Sequence, residues 1–295
     1  MKRIVAVGLV AALLELFLVW PLNANDSETS SRSLKLLSKT TLALLQEGNA
    51  RFVSGALKHP NTDAAHRSLA AAEGQEPFVT VLSCADSRVP VELIFDRGVG
   101  EIFTVRVAGN VADTDEIATV EYGVAHLNTP LVIVMGHTKC GAVTAVVKGA
   151  ELDGLLPQLV DNIKPAAESA RNEGGEEPAI IANAIKANVR QSMADMLRRS
   201  EVIRKQIQAG NTSVVGAIYN LETGTVEWLG EHPEQKQILN AYQADAKVAG
   251  HDDAPPRQPT PPILDPHQPP PPSARKEAGT VVTHGKAPAA EAHGH

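Results

Sequence analysis

Short runs of almost purely apolar residues recur along this chain, and helix-like stretches separate them. Four runs rich in β-branched residues predict strands, at Val79–Leu82, Ile102–Val107, Leu131–Met135 and Ser213–Tyr219. Strands that are apolar along their whole length are typical of parallel sheets covered on both faces. The sequence therefore predicts an α/β fold with a mostly parallel β-sheet flanked by helices. In such sheets, ligands bind at the carboxyl ends of the strands.

The stretches between these runs predict helices. Apolar residues at helical spacing over Ser33–Gly55 indicate one or two amphipathic helices, which would form an N-terminal helical arm. A turn signal at Glu222–Gly224 predicts that Ser213–Tyr219 forms a hairpin with Val226–Leu229. Further helices are expected over Val91–Phe95 (a single turn), Asp115–Leu127, Gly141–Val147, Leu155–Arg171, Ala179–Gln208 and Pro233–Ala246.

The start of the chain predicts export. Lys2 and Arg3 precede an apolar run that only Glu15 interrupts. This pattern is typical of a secretory signal peptide over residues 1–24, with cleavage after Ala24, and it predicts a periplasmic or secreted protein. A retained membrane anchor is the alternative, although the run is short for a membrane span and carries a charge. After cleavage no stable membrane span is expected.

The other end of the chain has a different composition. Residues 250–295 are rich in proline, which favours extended conformations and does not support a core. We predict a disordered Pro-rich tail there, in which scattered histidines hold metal weakly or are simply solvated. Residues 25–249 remain as the folded domain.

Charge and composition limit the partners. The net charge of -7 argues against nucleic acid as a ligand, because such proteins carry a basic face. Aromatic residues make up only 3% of the chain, so the core must be built from Val, Ile, Leu and Ala.

The chain contains only two cysteines, and each follows a predicted strand. Cys84 comes two residues after the first strand, and Cys140 follows the third strand, with His137 three residues before it. These three side chains can therefore face one ion at the carboxyl edge of the sheet. Thiolate and imidazole ligands favour Zn²⁺, and three protein ligands leave a fourth position for water, as in catalytic zinc sites.

Other interpretations of these residues remain open. In an exported protein two cysteines ordinarily form a disulfide, although a bound metal would hold both thiolates and prevent their oxidation. His126 is the nearest further histidine, but it falls on a predicted helix, where packing or solvation is expected.

An acid–base pair follows the first cysteine. Asp86 is two residues from Cys84, and Arg88 is placed to bind the Asp86 carboxylate in a bidentate manner. An Asp86 that Arg88 keeps ionised would orient a nucleophile at the metal. An ordinary surface ion pair is the alternative that the spacing alone favours.

Taken together, the two segments Cys84–Arg88 and Gly136–Gly141 resemble the two signature motifs of the β-class carbonic anhydrases. The resemblance extends over roughly Leu34 to Leu229 and leaves the signal segment and the tail outside. Further segments similar to this family are Glu47–Phe52, Gly100–Asn110 and Glu121–Leu127.

The resemblance implies what residues 25–249 do as a catalytic domain. It implies one Zn²⁺ per chain, held by Cys84, His137 and Cys140, and reversible hydration of carbon dioxide to bicarbonate. Asp86 and Arg88 would form the orienting pair. The family also implies a homodimer or higher homo-oligomer with the active site at the subunit interface.

Three more residues are similar to the open, plant-like subtype of the family, in which water remains on zinc. They are Gln75, for which we expect contact with a substrate oxygen, and Phe103 and Tyr122, which would line the substrate pocket; simple packing is the alternative for each. Two other functions also remain open. One is hydrolysis of carbonyl sulfide or carbon disulfide on the same scaffold, and the other is non-catalytic zinc binding, which only the tail histidines support.

Overall fold

The structure is a computed structural model, which describes the backbone of residues 24–249 and the side chains of residues 36–242. A five-stranded sheet lies at the centre of the described residues. The strand order is β2-β1-β3-β4-β5, and every neighbouring pair is parallel except β4 and β5. This confirms the predicted α/β class and the hairpin. The strands are β1 (Val79–Cys84), β2 (Ile102–Val107), β3 (Leu131–His137), β4 (Ser213–Tyr219) and β5 (Val226–Gly230).

Helices cover both faces of this sheet. The predicted N-terminal arm is one continuous helix, α1. The predicted signal peptide and Pro-rich tail lie outside the described residues, apart from Ala24. The helices are α1 (Ala24–Ser54), α2 (Ala64–Glu73), α3 (Val91–Ile94), α4 (Thr114–Ala125), α5 (Gly141–Lys148), α6 (Leu156–Asp161), α7 (Lys164–Glu173), α8 (Glu177–Arg199), α9 (Glu201–Gln208) and α10 (Gln235–Ala249).

The apolar residues of β3 divide between two cores because successive side chains point to opposite faces of a strand. Leu131, Ile133 and Met135 pack with α3 and the described part of α1 on one face. Val132 and Val134 pack with α4, α5, α8 and α9 on the other. Every residue of β3 is buried, as the sequence predicts for a central strand.

Two helical predictions require correction, and one helix was not predicted. The stretch Leu155–Arg171 is two helices, because α7 begins at Lys164 with Pro165 in its first turn, where the missing N–H of proline is tolerated. The stretch Ala179–Gln208 is also two helices, α8 and α9. Ser200 leaves the helical conformation between them, and its side chain accepts a hydrogen bond from the backbone N–H of Ile203, which caps α9. Helix α2 was not predicted; none of its residues is buried, so packing against the core does not impose an apolar stripe on its sequence.

Within the described residues, none of the helices is both long enough and apolar enough to cross a bilayer.

Candidate metal centre

Three potential metal ligands converge at the carboxyl ends of two neighbouring strands. Cys84 is the last residue of β1, and His137 is the last residue of β3. Cys140 precedes α5 and occupies its N-cap position. The ligand atoms of the three side chains all lie within 4.8 Å of one another, and all three residues are buried. The convergence predicted from the strand pattern is therefore present.

The orientation of His137 suits metal binding. Its Nδ1 lies 2.9 Å from the carbonyl oxygen of Thr138, so Nδ1 carries the proton and donates it to that acceptor. Its Nε2 is buried and has no hydrogen-bond partner among the described residues. A buried acceptor without a partner is costly, and a bound cation would remove that cost. The lone pair of His137 Nε2 is therefore available to bind a metal ion at the cluster.

A tight turn returns the chain from His137 to Cys140. Lys139 has a positive φ of 57°, which reverses the backbone between the two ligands. Thr138 anchors this turn to the next strand, since its N–H donates to the carbonyl of Tyr219 at 2.9 Å. Its hydroxyl also accepts a hydrogen bond from the N–H of Leu221 at 3.0 Å. The sheet therefore sets the position of Cys140 relative to His137.

The two thiols are free and influence each other. A hydrogen bond from the Cys140 thiol is the largest influence that lowers the pKa of Cys84. The Gly109 N–H also donates to Cys84 Sγ at 3.3 Å. The neighbouring Cys84 and burial both raise the pKa of Cys140. Neither cysteine forms a disulfide in this structure, and the hydrogen bonds that Cys84 Sγ accepts favour its thiolate form.

Asp86 lies beside the cluster and is paired with Arg88. The Arg88 Nη2 donates to Asp86 Oδ2 at 2.7 Å, and its Nε donates to Oδ1 at 3.0 Å. The Arg88 guanidinium therefore holds the pKa of Asp86 well below its usual range. Asp86 Oδ2 is 3.9 Å from His137 Nε2. The carboxylate is ionised, engaged by the arginine, and close enough to contact a group bound at the cluster.

Sequence and structure comparisons agree on one family. The model of the carbonic anhydrase family matches residues 79–226, which include all three cluster residues. The chain belongs to the β-carbonic anhydrase family. It is 38% identical over 185 residues to carbonic anhydrase 2 of Mycobacterium tuberculosis, which covers 61% of this chain and 87% of that protein. The enzyme class predicted from the motifs is thereby confirmed.

Two solved structures are similar to this β-carbonic anhydrase. One is a β-carbonic anhydrase of Aspergillus fumigatus, with a TM-score of 0.55 and 28% identity over 61% of this chain and 89% of the other. The second is a tetrameric β-carbonic anhydrase of Sordaria macrospora, with a TM-score of 0.51 and 26% identity over 57% and 87%.

The predicted pocket residues of this β-carbonic anhydrase are not at the metal cluster of their own chain. In the pairing of β1 with β2, Phe103 lies opposite Thr80, whereas Val107 lies opposite Cys84. Four residues of strand span about 13 Å, so Phe103 is near the amino end of the sheet. The Tyr122 ring is 5.8 Å from the Phe103 ring, and Gln75 precedes β1. Tyr122 is 40% exposed, and the partly buried Phe103 lies beside it.

His126, the spare histidine of the sequence, is also away from the cluster. It follows the last residue of α4, is exposed, and stacks on the ring of Tyr122 with 5.2 Å between ring centres.

Two further residues that contact the Cys84–Arg88 segment were missed by sequence reasoning. Arg106 donates through Nη2 to the carbonyl of Asp86 at 2.7 Å and through Nε to the carbonyl of Cys84 at 3.2 Å. Gly109 provides the N–H that reaches the Cys84 sulfur. Both residues lay inside segments that resemble the family, which is the only sequence signal that singles them out.

Proposed function

We propose that this protein catalyses the zinc-dependent, reversible hydration of carbon dioxide to bicarbonate and a proton. Cys84, His137 and Cys140 would hold one Zn²⁺ per chain. The main support is that the ligand atoms of these three residues converge. In addition, the buried Nε2 of His137 has no hydrogen-bond partner among the described residues. Two thiols and an imidazole are a donor set that fits zinc. When bound, zinc acts as a Lewis acid that lowers the pKa of water to about 7.

Asp86 and Arg88 orient the reacting water in this proposal. The Arg88 guanidinium holds the Asp86 carboxylate ionised, so that the carboxylate accepts a hydrogen bond from the water and fixes its direction. Arg106 keeps the backbone of this segment in place through the carbonyls of Cys84 and Asp86. The orienting group is therefore tied both to its own arginine and to the neighbouring strand.

We propose that the site is completed by a second copy of the chain. Gln75, Phe103 and Tyr122 lie near the opposite end of the sheet from the metal ligands, and Tyr122 is exposed. A two-fold arrangement would bring these residues of one protomer to the cluster of its partner. Gln75 would then donate to a substrate oxygen, while the two aromatic rings would form an apolar wall. The minimal active unit is a homodimer.

The position of Asp86 supports the open, plant-like subtype. Its carboxylate binds Arg88 and is not part of the ligand cluster of Cys84, His137 and Cys140. A fourth position for water is therefore retained in this proposal.

We further propose that the protein works outside the cytoplasm. The support is the basic start followed by an apolar run in residues 1–24. The intact mass of the protein from the exported fraction tests this, and a mature chain that begins at Asn25 is the expected result.

Stopped-flow carbon dioxide hydration, coupled to metal analysis of the same sample, tests the activity. We expect hydration that disappears when the metal is removed by a chelator and returns with added Zn²⁺. Protein that holds one zinc per chain but does not hydrate carbon dioxide would overturn the proposal. Sulfide release from carbonyl sulfide or carbon disulfide by that protein would assign it to the related hydrolases, and no release would indicate a zinc-binding protein.

A further inference from the structure

Helix α8 holds the backbone of the segment that follows β2. Asn188 Nδ2 donates to the carbonyl of Gly109 at 2.7 Å. One helical turn later, the Ser192 hydroxyl donates to the carbonyl of Asn110 at 2.9 Å. These two bonds connect a long helix to the short segment Gly109–Asn110, and the backbone N–H of Gly109 contacts a metal ligand. That contact is the hydrogen bond of 3.3 Å from the Gly109 N–H to Cys84 Sγ.

The backbone of Gly109, which joins the peptide that Asn188 holds to the peptide that donates to Cys84, is restricted by packing. Gly109 has a positive φ of 74°. A Cβ at this position would lie 2.7 Å from Cδ1 of Ile163 and 3.2 Å from Cβ of Ala142. The packing of these two residues limits movement on one side, and the bond from Asn188 holds the carbonyl on the other. The carbonyl that Asn188 holds belongs to the peptide after Gly109, and the N–H belongs to the peptide before it. Asn188 therefore acts on the N–H through the two backbone dihedrals of Gly109, which the packing of Ile163 and Ala142 restricts.

Burial of the Asn188 side chain costs folding free energy, and its hydrogen bond to Gly109 offsets part of that cost. It is 0% exposed, and its Oδ1 has no hydrogen-bond partner among the described residues. A buried amide that is only half satisfied destabilises the fold relative to an apolar residue of the same size. The bond to Gly109 is the contact that explains an asparagine at this position.

We propose that Asn188, assisted by Ser192, is a positioning residue for the metal centre, which acts by aiming the Gly109 N–H at the sulfur of Cys84. The inference rests on the proposed zinc site. An N–H donor reduces the electron density on a thiolate and fixes its direction, and partners of this kind typically change metal affinity about 10- to 100-fold. Neither residue touches the ligand cluster itself, so both act through the Gly109–Asn110 backbone.

Two substitutions on α8 test this role. Asn188→Leu keeps the side-chain size and removes the donor, and Ser192→Ala removes the second bond. Gln191→Ala is the matched control, because Gln191 is on the same helix and its side chain donates to Asp195 Oδ1 of that helix. For each full-length variant, zinc affinity is measured by competition with a chelator, and the sulfur-to-cobalt charge-transfer band is recorded after Co²⁺ substitution.

We expect Asn188→Leu to bind zinc about tenfold or more weakly, because the direction of Cys84 Sγ is no longer fixed. The cobalt band should shift to longer wavelength, because a thiolate without its donor gives up charge more readily. Ser192→Ala should shift both quantities in the same direction by less, and Gln191→Ala should leave both unchanged. A folded Asn188→Leu variant with wild-type affinity and band overturns the proposal. If that variant does not fold, Ser192→Ala decides, and an unchanged band and affinity overturn the proposal. Wild-type protein that binds neither metal would instead refute the proposed zinc site.

Discussion

The Nε2 atom of His137 lies 3.9 Å from Oδ2 of Asp86. The two residues belong to different parts of the sheet edge, since His137 is the last residue of β3 and Asp86 follows the end of β1. The imidazole nitrogen points into the ligand cluster, and the carboxylate stays outside the cluster, bound to Arg88. The two neighbouring side chains are therefore suited to different roles. His137 would hold the metal, and Asp86 would orient what reacts there.

Replacing Asp86 by Ala should therefore reduce carbon dioxide hydration by about 100-fold or more, the scale typical of losing an orienting or proton-accepting group. Zinc content should remain at one per chain, because Asp86 is not in the cluster. Stopped-flow kinetics and metal analysis measure the two quantities. Asp161→Ala is the control, since the ion pair that Asp161 makes is with the exposed Lys164. Loss of zinc together with Asp86 would show that this carboxylate is a ligand and would favour the closed subtype.

A composite active site predicts complementation between two inactive chains. One chain carries Cys84→Ser and lacks a ligand, and the other carries Gln75→Ala with Tyr122→Ala and lacks the pocket side chains. Random pairing gives intact composite sites at about one quarter of all sites, so the co-expressed pair should recover up to that share of wild-type activity. The mixture of separately folded proteins serves as the control. A co-expressed pair that is no more active than its parents would argue that each chain completes its own site.

Metal removal should make the two thiols available to each other. Their sulfur atoms lie within 4.8 Å, and bound zinc would keep both from oxidising. After chelation, oxidised glutathione should convert Cys84 and Cys140 to an intramolecular disulfide, with loss of two hydrogens by mass and release of reduced glutathione. Cys140→Ser should give no such internal bond. Stripped protein whose thiols stay free under oxidant would contradict the close approach.

Asp96 should contribute stability that is lost in acid. Burial raises the pKa of Asp96, but the Arg51 guanidinium and the N–H groups of Lys58 and His59 lower it more, to a value below the ordinary 3.8. A carboxyl group with a depressed pKa stabilises the fold fully above its unfolded pKa, and this contribution disappears as pH falls through the folded pKa. Asp96→Asn should cost about 1–3 kcal/mol near pH 7.

Urea titrations at two pH values measure this effect. The difference between wild type and Asp96→Asn should shrink as the pH falls below about 4. Asp161→Asn is again the control, because its pair with Lys164 is exposed, and such pairs contribute at most about 1 kcal/mol. A difference that is constant with pH would show that the Asp96 charge is not what stabilises the fold.

Deletion of residues 250–295 should leave zinc content and hydration unchanged, because the ligand cluster lies within residues 84–140. The same truncated chain with Cys84→Ser is the control and should lose zinc, since one of three ligands is missing. Loss of all zinc from the truncated chain alone would mean that the tail histidines hold the metal.

Much of the fold could be predicted because strands that are buried on both faces of a sheet consist almost entirely of apolar residues. The bounds of β2 and β4 agree with the predicted Ile102–Val107 and Ser213–Tyr219. Helix α2 could not be predicted in this way, since it buries none of its residues. The break at Ser200 was also missed, because the apolar pattern continues across it and only the capping bond to Ile203 reveals it.

The sequence by itself determined the sheet, the residues that follow its strands, and the convergence of Cys84, His137 and Cys140, because parallel strands end at one edge. Only the tertiary structure decided that His137 Nε2 is the unpartnered ring nitrogen among the described residues, and that Asp86 stays with Arg88. It also decided that Tyr122 and Phe103 lie far from their own metal ligands, and that α8 holds the donor to Cys84. These features depend on strand register and on hydrogen bonds between distant residues. Local patterns of hydrophobicity do not record such contacts, because they are made only when the elements pack together.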